Sequence, residues 1–335
     1  MRKRPARRGR TVAAALFVAT AAIAAGCGGD DSGDGATATD APATDAPATD
    51  APATDAPATD APATDAPTTA APTTAAPTTA APTTAAPTTT EAPEPIRILV
   101  TNDDGIEGIG MDLLVTALNE LDGFEVTVVV PLEDKTGSGG STTPGPLTAT
   151  EDTTISGHPA FAVHGFPADT IVWAVDQGGL DFVPDLVVSG INHGQNFGPV
   201  AELSGTVGAA RAAASRGIPA LAVSQGIVIT DDTVEPDYAS GIAATLAWIE
   251  ENFDAIEAHE PGDPVEAVVN MNIPTCQVGD NRGPLEVPHA TELPQDVDPF
   301  GPIDCTSTLT NPANDVMAFL YGFVAIANAP IAPAA

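Results

Sequence analysis

Two adjacent aspartates, Asp103 and Asp104, are the residues of this sequence best suited to chemistry. They follow the apolar, β-branched run at 96–100 and precede Gly105, so they are expected in the turn after a strand. Neighbouring carboxylates repel each other unless a cation joins them, and oxygen ligands of this kind suit Mg2+ or Mn2+. Taken alone, the same residues also fit an aspartate helix cap followed by a glycine turn, and both interpretations stay open on this segment.

Three more polar segments follow apolar runs and could contribute to the same site. Residues 131–141 offer hydroxyls, backbone amides and a lysine, although a plain flexible glycine loop fits them equally well. Residues 189–198 contain Asn192, whose carboxamide could be a neutral metal ligand, and His193, which we expect to be an exposed loop residue. Residues 204–211 place hydroxyls and amides at the start of a helix of small residues, which is how a helix N-terminus receives a phosphate.

Apolar periodicity predicts an α/β fold that places these segments along one edge of a sheet. Strands are predicted at 96–100, 124–130, 160–163, 185–189 and 218–224, and helices at 168–175 and 207–215. A further helix is indicated by apolar residues spaced three and four apart: Met111, Leu114, Val115, Leu118 and Leu121. This alternation implies right-handed crossovers and a three-layer, Rossmann-like, mainly parallel sheet, with a smaller β-rich extension at the C-terminus. Ligands bind such sheets at the carboxyl ends of the strands.

Charge and motif spacing exclude several functional classes. Six of the 11 Lys and Arg residues lie in the first ten positions, which leaves five against 45 Asp and Glu in the rest of the chain. Binding to duplex nucleic acid or to an anionic membrane surface needs a basic footprint, so neither is expected. The sequence has no GxxxxGK(S/T) phosphate loop, no GxSxG elbow with partners in order, and no His or Cys pair at zinc spacing.

The N-terminus has the features of an export signal. A basic start is followed by an apolar run at 12–25 and by Gly26-Cys27, which resembles a bacterial lipobox with a lipidated cysteine. The run is too short to span a bilayer comfortably, and a plain secreted or uncleaved form is the remaining alternative. We therefore expect a signal peptide at 1–26 and an extracytoplasmic lipoprotein held on the outer face of the cell membrane only through lipid on Cys27.

Proline-rich repeats separate this signal from the rest of the chain. Residues 41–90 repeat a five-residue unit, first Ala-Pro-Ala-Thr-Asp and then Ala-Pro-Thr-Thr-Ala with small variation. Proline at this spacing stops helices and strands, and Ala, Thr and Asp offer little to bury. We expect a disordered spacer at 27–95, of which the repeats at 41–90 alone would reach roughly 150 Å when extended, and one folded domain at 96–335.

The polar segments resemble, in order and spacing, the signatures of the SurE-type 5′/3′-nucleotidases, also called survival protein E. The resemblance is carried by residues 96–107, which include Asn102-Asp103-Asp104-Gly105, and by residues 184–192 and 204–211. Weaker matches follow at 269–274 and 314–326. The family resemblance implies a divalent-metal-dependent phosphomonoesterase that converts nucleoside 5′- or 3′-monophosphates to nucleoside and phosphate.

The same resemblance implies a role for each matching residue. One cation, Mg2+ or Mn2+, would be held by Asp103, Asp104, Thr136 and Asn192, and the two aspartates would also be catalytic. Phosphate or substrate contacts would fall on Asn102, Asn196, Ser204, Gly205 and Thr206. Thr136 stands where the family has a serine, and it keeps the hydroxyl. Either Asp103 attacks phosphorus itself or it orients a water on the metal, and we favour the water.

Departures from the family pattern concern the rim of the pocket and the partners. Pro199, Val200 and Leu203 stand where the family carries acidic residues and a tyrosine, and Gly165-Phe166 begins a segment that reads Gly-Thr in the family. Both changes indicate a shifted substrate preference. A homodimer is left open, and so is a second function, in which a surface-tethered lipoprotein binds a ligand on this fold without turning it over. The intact Asn-Asp-Asp-Gly segment favours catalysis.

Two cysteines besides Cys27 remain, Cys276 and Cys305, both in a region rich in Gly and Pro. Thiols outside the cytoplasm tend to oxidise, so we expect these two to form a disulfide. The alternative is two unrelated buried cysteines.

Overall fold

The computed structural model describes residues 94–229 and 236–332. The predicted signal peptide, Cys27 and all of the predicted linker except Glu94 and Pro95 lie outside the described residues. In the part that is described, no helix is both long and apolar enough to cross a membrane.

Strands and helices alternate through most of the described chain. The strands are β1 (Ile96–Thr101), β2 (Phe124–Pro131), β3 (Ala149–Thr153), β4 (Pro159–Val163), β5 (Leu186–His193), β6 (Ala220–Gln225), β7 (Ala267–Ile273), β8 (Pro284–Glu286) and β9 (Val324–Pro330). The helices are α1 (Ile109–Asn119), α2 (Pro167–Ile171), α3 (Gly205–Ala214), α4 (Tyr238–Ala258) and α5 (Asp315–Leu320). A π-helical turn, Val172–Asp176, continues α2, and a 3₁₀ turn, Gly198–Glu202, precedes α3.

All of these strands belong to one sheet, in the order β3-β4-β2-β1-β5-β6-β7-β9-β8. The central strands from β4 to β7 are parallel, whereas β3 and β9 run antiparallel to their neighbours β4 and β7. The expected α/β class with a mainly parallel sheet is therefore confirmed. The C-terminal extension supplies β8 and β9, which continue the same sheet at its edge.

Helices cover both faces of the sheet, as the alternation of side chains along β1 demonstrates. Ile98 and Val100 belong to the apolar cluster that contains the buried faces of α1 and α4. Leu99, which points the other way, belongs to the cluster that contains α2 and α3. The three-layer arrangement follows from this alternation, because each face of a buried parallel strand needs its own apolar cover.

The first half of the third polar segment, 189–193, is strand, which corrects the prediction of a loop beginning at Ser189. β5 continues to His193, because Asn192 and His193 pair with Ser224 and Gln225 of β6 after an irregularity in register. Asn192 is consequently fixed on a strand rather than on a mobile loop.

Two long elements after β6, the helix α4 and the strand β7, are absent from the predicted set. The helix has apolar residues at helical spacing, Ile242, Leu246, Ile249, Phe253 and Ile256, which pack into the α1 cluster. The strand carries two asparagines among its apolar residues, which weakens its apolar signal.

A third apolar cluster joins the C-terminal segment to the rest of the fold. Phe197, which follows β5, packs against Phe319 of α5 with their ring centroids 5.0 Å apart. In the same cluster, Cys276 and Cys305 form the expected disulfide, with their Cα atoms 5.8 Å apart.

Candidate active site

The carboxyl ends of β1 and β5 lie side by side at the centre of the site. Thr101 of β1 pairs with Ser189 of β5, so the residues that follow each strand emerge at the same edge. In addition, β1 lies between β2 and β5. From β1 the chain first continues to β2 and β4 on one side, and later from β5 to β6 and β7 on the other side, so the strand order reverses here. This is the switch point at which open α/β sheets bind ligands.

Asp103 connects the end of β1 to the beginning of α3. Its side chain is buried, and its Oδ1 accepts a hydrogen bond of 2.6 Å from the hydroxyl of Thr206. Gly205 lies against the same carboxylate, since a Cβ at that position would come within 2.7 Å of the Asp103 Cβ. The first and fourth polar segments therefore meet, and only a residue without a side chain fits between them.

The two aspartates are held in an environment that disfavours their negative charge. Burial raises the pKa of Asp103, although hydrogen bonding to Thr206 opposes the shift. Burial, together with the charges of Asp103 and Asp134, raises the pKa of Asp104 to about 7. A backbone hydrogen bond with His193 opposes that shift and links Asp104 to the end of β5. Asp134, in the second segment, is a third carboxylate that the sequence reasoning missed.

These carboxylates and their neighbours fit a divalent cation. The charges that raise the pKa of Asp104 are both negative, so a cation bound there would relieve repulsion that the fold otherwise sustains. Asn192 is buried, and its Nδ2 donates to the carbonyl of Gly194 at 2.7 Å, which leaves its Oδ1 for a ligand role. Within the described residues, no three His, Cys, Asp or Glu side chains form a metal cluster, and the expected set contains only two such residues.

The second segment packs closely over the site through its backbone. The amide of Lys135 donates to the carbonyl of Asp103 at 2.7 Å, and the amide of Gly139 donates to the carbonyl of Leu203 at 3.0 Å. Thr136 is exposed, and its amide donates to Oδ1 of Asp134 at 2.7 Å. In the described part of the chain, no hydrogen bond joins the Thr136 hydroxyl to the aspartates. The Ser138 hydroxyl, by contrast, is buried there without a partner.

Asn102 is buried, and the NH2 group of its side chain is already hydrogen-bonded. Its Nδ2 donates to the carbonyl of Gly105 at 2.8 Å, whereas its Oδ1 is buried and has no partner among the described residues. The free atom is therefore an acceptor, which suits a cation or a hydroxyl donor better than a phosphate oxygen.

Asn196 occupies the centre of a buried polar network. Its Nδ2 donates to the Ser224 hydroxyl at 2.9 Å and to the Thr206 hydroxyl at 3.4 Å. Its backbone is held by two asparagines of β7: its amide donates to Oδ1 of Asn272 at 2.6 Å, and its carbonyl accepts from Nδ2 of Asn270 at 2.8 Å. A continuous chain of hydrogen bonds therefore runs from β7 through Asn196 and Thr206 to Asp103.

The sequence reasoning missed three members of this network, Ser224, Asn270 and Asn272. A signal was present in β7, because Asn270 and Asn272 are two residues apart and must share one face of the strand. Polar residues on a strand buried on both faces need partners, which makes them candidates for a site.

The fourth segment forms a helix N-terminus directed at the aspartates. Ser204 is the N-cap of α3, and its hydroxyl accepts from the amide of Val207 at 3.1 Å. The amides of Gly205 and Thr206 belong to the first turn, where the helix dipole favours an anion. Ser204 and Thr206 are both buried, so this end of the helix is shielded from bulk water.

The residues that depart from the family pattern before α3 lie in and just after one 3₁₀ turn. Pro199 and Val200 lie within the 3₁₀ turn before α3, and Leu203, which follows the turn, is 66% exposed. The acidic residue of this turn, Glu202, forms a two-point ion pair with Arg211, with distances of 2.6 and 3.0 Å. Glu202 is thus engaged in fixing the turn to α3.

The sequence profile of the family described as survival protein SurE matches residues 98–291. The chain belongs to the SurE family. The match covers β1 to β8 and all of the predicted site residues.

Similar proteins from bacteria and archaea carry the same family name. The 5′-nucleotidase SurE of Chlorobaculum tepidum is 36% identical over 197 residues, which cover 58% of this chain and 70% of that protein. The 5′-nucleotidase SurE of Methanopyrus kandleri is 38% identical over 184 residues, 53% of this chain and 66% of that protein. That of Rhizorhabdus wittichii is 31% identical over 239 residues, 71% of this chain and 86% of that protein.

A solved structure shares the fold. The crystal structure of the SurE protein from Aquifex aeolicus superposes with a TM-score of 0.53 at 24% identity, and the match covers 71% of this chain and 94% of that chain. The likeness supports the fold described above.

Proposed function

We propose that this protein hydrolyses nucleoside 5′-monophosphates, or 3′-monophosphates, to nucleoside and phosphate with the help of one divalent cation, Mg2+ or Mn2+. The relatives named above are 5′-nucleotidases, which places the reaction among phosphoric monoester hydrolases. The observation that carries the proposal is the 2.6 Å hydrogen bond between Thr206 and Asp103. It brings a carboxylate pair to the N-terminus of α3, so a cation site and a phosphate cradle adjoin.

In this proposal the cation is held by Asp103, Asp104 and Asn192, with Thr136 as a fourth ligand supplied by the second segment. The cation supplies neutralisation of the phosphate oxygens and the Lewis acidity that an attack on phosphorus needs. Asp103 and Asp104 stay ionised beside it, although their pKa values are raised without it. The Thr136 side chain has to turn inward to join them, because it is exposed in this structure.

The phosphate is held by groups at the opposite side of the same site. The amide of Gly205 donates to its oxygens. The Ser204 hydroxyl, the Asn196 carboxamide and Thr206, whose backbone also bonds Asp103, lie beside it. Asn102 contacts the substrate rather than the phosphate oxygens, since its Nδ2 is bonded to Gly105 and its free Oδ1 can accept only from a donor such as a substrate hydroxyl. The hydroxyl of Thr206 links the two halves of the site, because it bonds Asp103 at the N-terminus of α3.

The test is turnover of 5′-AMP, 3′-AMP and p-nitrophenyl phosphate by the purified protein with Mg2+ or Mn2+. We expect release of phosphate that a chelator abolishes and added metal restores. The Asp103→Asn variant serves as the control for contaminating phosphatases, and its rate should fall at least about a hundredfold. Turnover that persists in chelator, or in Asp103→Asn, would overturn the metal-dependent proposal. Binding of nucleotide without turnover would indicate the ligand-binding alternative.

We also propose that the protein is an exported lipoprotein anchored through Cys27. The sequence signal lies outside the described residues, and support comes from the Cys276–Cys305 disulfide, a bond typical of oxidising compartments. A Cys27→Ser variant should accumulate as unprocessed precursor or be released into the medium, as measured by fractionation and mass spectrometry of the N-terminus. Normal processing and unchanged membrane association of Cys27→Ser would refute this localisation.

A further inference from the structure

A cavity of about 260 Å³ lies beside the candidate active site, at the carboxyl ends of β2 and β4. Its apolar lining comes from Leu132, Val163 and Phe166, and its polar lining from Glu133, Lys135, Thr143 and His164. Because β2 is the neighbour of β1 in the sheet, the cavity opens at the same edge as the aspartates. Neither the cation nor the phosphate positions proposed above use it.

The walls of the cavity continue directly into the site. Lys135, on one wall, donates its backbone amide to the carbonyl of Asp103 at 2.7 Å. On the opposite wall Phe166 is followed by Pro167, whose Cγ lies 2.9 Å from the position that a Cβ on Gly205 would take. A substrate whose phosphate lies at the N-terminus of α3 therefore has its remaining part next to this cavity.

Buried hydrogen bonds fix the shape of the cavity. Asp169 is fully buried, and its carboxylate accepts from the amide of Phe166 at 2.9 Å and from the amide of Thr143 at 3.0 Å. The amide of Leu132 donates to the carbonyl of Val163 at 2.9 Å. The residues on both sides are thus held by the backbone and by one carboxylate, so the cavity is formed before any ligand enters.

The ring of Phe166 is available for stacking. Other phenylalanines of the fold, such as Phe161 and Phe197, have ring partners, whereas no ring or cation of the described residues stacks on Phe166. A half-buried aromatic side chain beside aliphatic and polar side chains is the chemistry that receives a flat heteroaromatic ring. The volume is below the range of about 300–1,000 Å³ typical of pockets for larger ligands, which suits a single base.

We propose that this cavity is the nucleobase subsite of the enzyme and that Phe166 stacks on the base, which makes Phe166 a specificity-determining residue. The inference rests on the proposed function, because it places the base of the nucleotide whose phosphate lies at α3. It predicts that the protein distinguishes nucleotides from phosphomonoesters without a base through contacts at Phe166 rather than at the cation.

The first test compares 5′-AMP with ribose 5-phosphate, which lacks the base, in wild type, Phe166→Leu and Phe166→Tyr. Phe166→Leu should raise the KM for 5′-AMP roughly tenfold, as expected for the loss of one base–aromatic stack. It should leave kcat/KM for ribose 5-phosphate unchanged, and Phe166→Tyr should retain the wild-type preference. Phe182→Leu, the same change near the amino end of β5, is the matched control. Equal losses for both substrates, or an unchanged KM for 5′-AMP, would overturn the proposal.

The second test separates this inference from the proposed function, because it needs no turnover. Adenosine, which has no phosphate, is titrated calorimetrically into wild type and Phe166→Leu. Binding by wild type that weakens roughly tenfold in Phe166→Leu supports the base subsite even if neither substrate is hydrolysed. Absence of adenosine binding to wild type at millimolar concentration contradicts the subsite even if 5′-AMP is hydrolysed.

Discussion

The carboxylates at the end of β1 lower the stability of the fold when no cation is bound. Asp103 is buried, and Asp104 lies beside it with a pKa raised to about 7 by burial and by the charges of Asp103 and Asp134. Ionised carboxylates that lose water and face other carboxylates destabilise the folded state, unless a cation is present. The site is therefore more stable with a cation bound than without one.

Asp104→Asn should stabilise the metal-free protein while it abolishes hydrolysis. The ordinary pKa of Asp104 is 3.8 and its folded value is about 7, so ionisation destabilises the fold increasingly as pH rises between these values. In chelator at pH 8 we expect the variant to be more stable by roughly 2–4 kcal/mol. The difference should disappear below about pH 4, where the carboxyl group is protonated in both states.

Thermal unfolding of wild type and Asp104→Asn at several pH values, with chelator and with Mg2+, measures this directly. Added Mg2+ should raise the melting temperature of wild type and have little effect on the variant. Equal melting temperatures in chelator at pH 8, or full activity of Asp104→Asn at saturating metal, would contradict the role given to this carboxylate.

At the scale of elements, β7 positions a residue of the site without contacting the proposed phosphate. Asn270 and Asn272 alternate with apolar residues, so both lie on the face of the strand toward α3. They bind the carbonyl and the amide of Asn196, which reaches Thr206 with its side chain. The strand thereby fixes the backbone of Asn196 in the loop after β5.

Asn272→Ala should lower kcat/KM for 5′-AMP about tenfold or more, because it releases the amide of Asn196 and allows the carboxamide to shift. Asn328→Ala, on the neighbouring strand β9, is the control, since Asn328 is exposed. Steady-state kinetics and melting temperatures are measured for both variants. A loss of stability in Asn272→Ala with unchanged kinetics at a temperature where it is folded would show that β7 acts on the fold alone.

In the molecule as a whole, the C-terminal segment packs against the residues that follow β5, at the end of the third polar segment. Asp315, at the start of α5, accepts hydrogen bonds from the amides of Gly198 and Ala290 and bonds His289 at 3.0 Å. The Cys276–Cys305 disulfide joins the chain after β7 to the same cluster. The segment therefore holds the residues after β5 in place. Its disulfide is not part of the hydrogen-bond network that contains Asp103.

Reduction of the Cys276–Cys305 disulfide should lower stability and leave the chemistry intact at temperatures where the fold persists. Closing a loop between residues 29 apart contributes about 3–4 kcal/mol in the chain-entropy estimate, or roughly 10 °C in melting temperature for a domain of this size. The measurement is a melting curve and an activity assay with and without reductant, with Cys276→Ser/Cys305→Ser insensitive to it. Loss of activity without any fall in melting temperature would argue against a structural role.

The pattern of apolar runs predicts the fold class, and the polar segments that follow them predict the edge of the sheet at which the candidate site lies. The five predicted strands are present as β1, β2, β4, β5 and β6, since a strand buried on both faces must be a run of apolar residues that stands out from its surroundings. The edge strand β3 was missed, because its residues are mostly polar and exposed. Asp103, Ser204 and Thr206 are brought together because residues that end parallel strands, and helices that follow them, must meet at one edge.

The polar groups that face one another could not be predicted from the sequence, because they come from distant segments of the chain. Asp134 acts on the pKa of Asp104, and Asn270 and Asn272 hold Asn196, although 76 residues separate Asn272 from Asn196 in the chain. The sequence marks Phe166 only as a departure from the family pattern, and its place in a cavity beside Leu132 and Val163 becomes evident only in the fold. Local sequence encodes periodicity and turns, whereas contacts between distant segments arise from how the sheet aligns their ends, which no local pattern records.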